Sequence, residues 1–216
     1  LSNIDRESVE KRLMETLEIL NIEDQTIPVD KDCALEIKEY LALLDLIMEI
    51  DEEYLPVSNS EDKKVVITQP GMRYSQATEL VNSILQDEKF SSFSATERAY
   101  IHERILSEVK GRMLEDIILI ETKLANPKKQ VFQLRFAIGE FDMVVADNET
   151  ATCEIFEIKY SKEIIDKQYQ HLNDDKKCED AAFRFGTITG KYVIYRGETK
   201  DVDGVKYVNA EEYLKS

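Results

Sequence analysis

Apolar residues recur at intervals of three and four through the first half of the chain, then at intervals of two. The first rhythm predicts helices and the second predicts strands. Val9, Leu13, Leu17 and Leu20 mark a helix over residues 5–20. Ala34, Ile37, Leu41 and Leu44 mark another over 31–44, with Asp30 or Asp32 as its cap. Two short apolar runs follow, at residues 46–50 and 64–68, separated by a turn-rich stretch around Pro56. Two helices and a hairpin predict a small winged-helix-like unit, placed at residues 1–72. Pro70-Gly71 breaks the chain there, and a helical pattern resumes over 73–87. A long helix is expected from Ser94 or Thr96 to Leu124, because Ser94 and Glu97 have capping-box spacing. Asn126-Pro127 ends it.

Beyond that proline, residues 131–137, 140–146 and 153–159 alternate as three consecutive strands. Ile138-Gly139 makes a tight turn between the first two. Residues 161–173 and 176–184 read as helices. Tyr192–Tyr195 and Val205–Val208 read as strands, and residues 210–215 as a closing helical turn. The order is helix, three strands, helix, strand. It predicts an α/β protein with a mixed sheet over residues 73–216.

Composition narrows the class. The 216 residues are 43% hydrophobic and 33% charged, with seven Gly and four Pro, which excludes collagen-like and low-complexity chains. The apolar runs are too short for a membrane-spanning helix. Cys33, Cys153 and Cys178 are odd in number and widely spaced, which points to a reducing, cytoplasmic setting. The formal charge of −16 argues against nucleic acid when taken as a total. It is unevenly placed: residues 1–60 carry −11 and the remainder −5, with local excesses of +2 over 121–130 and +3 over 181–200. DNA would therefore meet a local basic surface, and the acidic N-terminal part is expected to face a protein or another domain of its own chain.

The informative stretch is Gly139-Glu140-Phe141-Asp142-Met143, followed by Glu157-Ile158-Lys159. Side chains alternate along a strand. Glu140 and Asp142 are then expected on one face, with Phe141 and Met143 on the other. Glu157 and Lys159 share a face as well. If the two strands pair, Asp142 and Glu157 meet, and with the Ile158 carbonyl they offer hard oxygen ligands for Mg²⁺ or Mn²⁺. Lys159 beside them would orient or deprotonate a water, or neutralise charge developing on a phosphate.

These residues resemble the PD-(D/E)XK nuclease superfamily. Asp142 precedes Glu157-Ile158-Lys159 by 15 residues, in a strand–strand context. The resemblance implies a restriction-endonuclease-like αβββαβ core and metal-dependent hydrolysis of DNA. It also implies a helical acid ahead of the sheet, for which Glu115 is the match and neighbouring Asp116 the competitor. Gln168 or Gln170 would face the substrate. A narrower resemblance is to the C-terminal region of bacterial and archaeal AAA-type ATPases. It rests on Tyr40–Leu44, Val66–Arg73, Gly139–Val145, Glu157–Lys159 and Tyr192–Gly197. Gln69 departs from that pattern, where Asp is common, and no P-loop occurs. The resemblance implies an ATPase module upstream of Leu1 and no ATP site in this chain.

Other residues carry weaker signals. His102 and His171 have no second ligand at metal spacing, and the cysteines read as ordinary thiols. Three functions compete: a metal-dependent nuclease, a non-catalytic module that binds DNA or a protein and regulates the ATPase, and a structural dimerisation domain.

Overall fold

In the computed structural model, residues 4–18, 30–55 and 63–215 are described. The chain forms two compact units, Leu1–Leu44 with Gly71–Lys110, and Asp45–Pro70 with Gly111–Ser216. The division therefore differs from a single boundary at residue 72.

The first unit is helical. It contains α1 (Arg6–Thr16), α2 (Lys31–Leu43), α3 (Pro70–Ile84) from its second residue on, and the first part of α4 (Ala95–Ala125). Pro70 opens α3 rather than breaking the chain, because its missing N–H and preset φ suit a first helical turn. Ser94 and Glu97 do form the expected box. The Ser94 N–H donates to the Glu97 carboxylate at 2.7 Å, and the Glu97 N–H donates to Ser94 Oγ at 3.3 Å. Val9, Phe90, Phe93 and Ile101 make the core. The stripe expected on α2 is not buried: Ile37 is 52% exposed and Leu44 50%. The expected first helix stops earlier, at Thr16; Leu17 and Glu18 form a turn, and residues 19–20 of the expectation lie outside the described residues.

The second unit is a mixed eight-stranded sheet with helices. Its strands are β1 (Ile47–Leu55), β2 (Lys63–Ile67), β3 (Gln130–Phe136), β4 (Glu140–Asp147), β5 (Thr152–Ile158), β6 (Thr187–Tyr195), β7 (Lys200–Val202) and β8 (Val205–Asn209). The order is β2-β1-β3-β4-β5-β6-β8-β7. The hairpin β1–β2 thus extends the large sheet through parallel pairing of β1 with β3, and does not belong to the helical unit. One cluster packs Ile118 and Leu119 of α4 on Val131, Met143, Phe156 and Ile158. The other packs Ala181 of α5 (Asp175–Phe185) and Leu172 on Phe132, Phe141, Val144 and Ile155. Neighbouring strand residues alternate between the clusters, so both faces of the sheet are covered. A short helix α6 (Ala210–Tyr213) adds Ala210 to the α4 side.

The helix expected over residues 161–173 is absent. Two single 3₁₀ turns, Asp166–Gln168 and His171–Asn173, stand there instead. Gln168 accepts from the Ile165 N–H at 3.1 Å and donates to Ser161 Oγ at 2.7 Å and the Glu163 carbonyl at 3.1 Å. Such side-chain bonds give the backbone an alternative to helix. Among the described residues, no helix is long and apolar enough to cross a membrane.

Candidate active site

The strand β4 is irregular where the chemistry was expected. Phe132 pairs with Val144 and Leu134 with Phe141, so Asp142 and Met143 together oppose the single residue Gln133. This is a β-bulge, which re-aims the side chains beside it. Its consequence is visible in the core. Phe141 joins one hydrophobic cluster and Met143 the other, although strict alternation would put them on the same face.

The bulge turns Asp142 toward the end of β5. Asp142 Oδ2 accepts from the Ile158 N–H at 2.7 Å, taking a backbone donor at the end of the β5 ladder. The same oxygen accepts from Lys159 Nζ at 2.8 Å. Lys159 also meets Glu157 Oε2 at 2.6 Å. Lys159 lies just past β5, where its backbone N–H donates to the Ile194 carbonyl of β6 at 2.9 Å. Asp142, Glu157 and Lys159 therefore converge, as the sequence spacing led us to expect.

Burial sets their electrostatics. Glu157 is 2% exposed, and its Oε1 is buried with no hydrogen-bond partner. Burial pushes its carboxyl up to about 8, reinforced by the Asp142 charge and opposed by Lys159. For Lys159, burial works to lower the pKa, but the Asp142 and Glu157 carboxylates outweigh it and raise the group above its ordinary value. Lys159 is thus a cation in this arrangement. That charge suits it to neutralising a phosphate more than to taking a proton from water.

Glu115 of α4 lies within electrostatic reach of Asp142 but has its own partner. Lys64 of β2 reaches Glu115 Oε1 at 2.5 Å and Asp116 Oδ1 at 3.7 Å. Burial raises the Glu115 pKa, Lys64 opposes the rise, and Asp142 adds to it. Asp116 is 1% exposed, deeper than Glu115. Glu140 faces Arg135, whose Nε lies 3.5 Å from it, while Arg135 also reaches Glu52 at 2.8 Å. Gln168 is buried and spent on the loop, so it does not face a substrate in this structure. Gln170 is exposed.

Lys64 and Gln133 escaped the sequence reading, as did the contact between His171 and Lys177. Lys64 sits in an ordinary-looking strand, 51 residues before its partner Glu115. Gln133, opposite the bulge, is 2% exposed and has an unpartnered Oε1. His171 and Lys177 meet each other beside the Gly139 turn. No local pattern signals any of these contacts.

Among the described residues, no group of three or more His, Cys, Asp or Glu is disposed to hold a metal ion. A cavity of about 370 Å³ on the sheet is lined by Thr122, Glu154, Tyr192 and Tyr213 among others, and includes no residue of the carboxylate cluster. Glu154 there accepts from the Tyr192 hydroxyl at 3.0 Å. We place the chemistry at the carboxylates rather than in this cavity, because there two buried titratable side chains, Asp142 and Glu157, converge on a lysine. Comparison with known proteins finds no matching family, no similar characterised protein and no similar solved structure.

Proposed function

We propose that this chain carries a PD-(D/E)XK-type nuclease site that hydrolyses DNA phosphodiesters with Mg²⁺ or Mn²⁺. The observation that carries the reading is the buried Glu157 Oε1, unpartnered beside Asp142 and Lys159. A buried carboxylate oxygen without a partner is costly. A hard divalent cation is the ligand its chemistry suits. The succession α4, β3, β4, β5, α5, β6, with β5 and β6 parallel, supports a restriction-endonuclease-like αβββαβ core. The resemblance to the C-terminal part of AAA-type ATPases extends the proposal to an ATPase module encoded upstream.

Asp142 and Glu157 would hold the cation, which, when bound, polarises phosphate and lowers the pKa of water. Asp142 is held by the Ile158 N–H. Lys159 supplies a fixed positive charge for the phosphate. Glu115, tied to Lys64, shapes the field around Asp142 and is a ligand only if that pair opens.

One observation favours a second reading, a non-catalytic regulatory module that binds nucleic acid or protein. Lys159 already bridges both carboxylates, so charge there is partly balanced without a metal. Calorimetric titration with Mn²⁺ and plasmid cleavage separate the two. The nuclease reading expects Mn²⁺ binding that is lost in Glu157→Gln. It also expects cleavage that is lost in Asp142→Asn and Lys159→Ala. Absence of Mn²⁺ binding refutes it. Equal cleavage by wild type and both variants would assign the activity to a contaminant.

A further inference from the structure

Most cations near the carboxylate cluster already have carboxylate partners. Lys159 bridges Asp142 and Glu157, Lys64 holds Glu115, and Arg135 sits between Glu52 and Glu140. Lys177 differs. Among the described residues its ammonium meets no carboxylate. It contacts His171 Nδ1 at 2.8 Å and lies 5.1 Å from the centre of the Phe136 ring. Neither partner neutralises it.

The pair is built into the fold. Leu172 is fully buried and anchors the His171–Asn173 turn in the core shared by β4 and β5. Asp174 caps α5 and accepts from the Lys177 N–H at 3.1 Å. Gly139, at φ +78°, lets both side chains approach. A Cβ there would stand 2.9 Å from the ring Cε1 and 3.0 Å from Lys177 Nζ. An ammonium only donates hydrogen bonds, so Nδ1 of His171 must accept and the ring proton sits on Nε2. Burial and the nearby Lys177 and Lys159 charges hold the His171 pKa below its ordinary value, which agrees with a neutral ring. The ring N–H and the remaining ammonium N–H groups are then donors gathered at one turn. Asp142 follows Gly139 by three residues, on the order of 10 Å along a strand.

We propose that Lys177 and His171 form an anion subsite that grips a backbone phosphate of the nucleic acid, next to the one presented to Asp142, Glu157 and Lys159. The choice of nucleic acid rests on the nuclease reading; the anion preference rests on the unmatched ammonium and the convergent donors. Lys177 supplies charge. His171 supplies a directed hydrogen bond and holds the ammonium in place.

The test is binding of a fluorescein-labelled oligonucleotide to the full chain in EDTA, followed by anisotropy across a salt series. Lys177→Met is expected to weaken binding about tenfold and to lower the salt slope by about one. His171→Ala should weaken it several-fold, and Lys177→Arg should retain most of it. Unchanged affinity and slope in Lys177→Met overturn the subsite, as does a wild type that does not bind the oligonucleotide. Inorganic phosphate that shifts the His171 ring resonances, with oligonucleotide affinity independent of Lys177, overturns the backbone assignment in favour of a free anion. The two readings fail separately. Lys177-dependent binding without any cleavage refutes the nuclease and keeps the subsite, whereas cleavage with Lys177-independent binding does the reverse.

Discussion

Glu157→Gln is expected to make the metal-free protein more stable at pH 8 and, on the proposed nuclease reading, to abolish Mn²⁺ binding. The folded-state carboxyl is raised from 4.5 to about 8. A carboxyl with a raised folded pKa favours the folded state fully below its unfolded value. That advantage is lost as pH climbs toward the folded value, because the unfolded chain releases a proton that the folded chain keeps. The window is therefore from about pH 4.5 to about pH 8. The rise corresponds to roughly 5 kcal/mol lost across that window. An amide has no such proton to release. It places an N–H near the position of Oε1, where no acceptor stands, which costs about 1–3 kcal/mol. It also weakens the pairing with Lys159. The balance is a gain of roughly 1–3 kcal/mol at pH 8 and a loss of similar size near pH 5. Each kcal/mol moves a transition midpoint by about 2–4 °C in a chain of this size. Thermal unfolding of the full chain in EDTA at pH 5, 6.5 and 8 reads this directly, with the curves of wild type and variant crossing. Mn²⁺ should raise the wild-type midpoint and leave the variant unmoved. Parallel pH profiles, or a variant less stable at pH 8, would refute the claim that Glu157 is buried with a raised pKa.

Lys64→Met leaves Glu115 without its 2.5 Å partner, so a loss of about 2–3 kcal/mol is expected in chemical denaturation near neutral pH, shrinking on acidification as Glu115 protonates; an unchanged midpoint would show the pair to be loose. Gly186→Ala should destabilise by at least about 2 kcal/mol, because Gly186 sits at φ +97° and a Cβ there would meet the Ala151 carbonyl oxygen at 2.1 Å; wild-type-like unfolding would contradict that contact. Ser94→Ala removes the cap of α4 and should cost about 1 kcal/mol, read by urea unfolding. The Glu97 half of the same box has its pKa lowered by bonds to Ser94 and by Arg12, so its contribution is present above about 4.5 and fades as pH falls through the folded value. A cap whose contribution is flat in pH would count against this.

Much of the chain's local structure was legible because short-range physics sets it. Ser94 and Glu97 announced the start of α4, and Asn126-Pro127 announced its end. Alternation located β3, β4 and β5 to within a residue or so. The meeting of Asp142, Glu157 and Lys159 followed from strand pairing and a turn at Gly139. Misses arose where side-chain bonds or distant strands decide. The expected helix over 161–173 lost to the bonds of Gln168, whose partners lie a few residues away but in directions that periodicity does not encode. The hairpin at residues 47–67 read as part of a helical unit, yet its edge found β3 across more than sixty residues.

The sequence by itself determined most of the strands and helices, where α4 is capped, and that two acids and a lysine lie at strand spacing. Backbone sterics, capping and apolar periodicity act over a few residues, so they are written locally. Tertiary structure decided the bulge that turns Asp142 onto the Ile158 N–H, and the burial that raises Glu157. It also decided the Lys64–Glu115 pair and the placement of His171 and Lys177 against Gly139. Each depends on which surfaces exclude water from a charge and which distant donors reach it, and only the packed sheet supplies both.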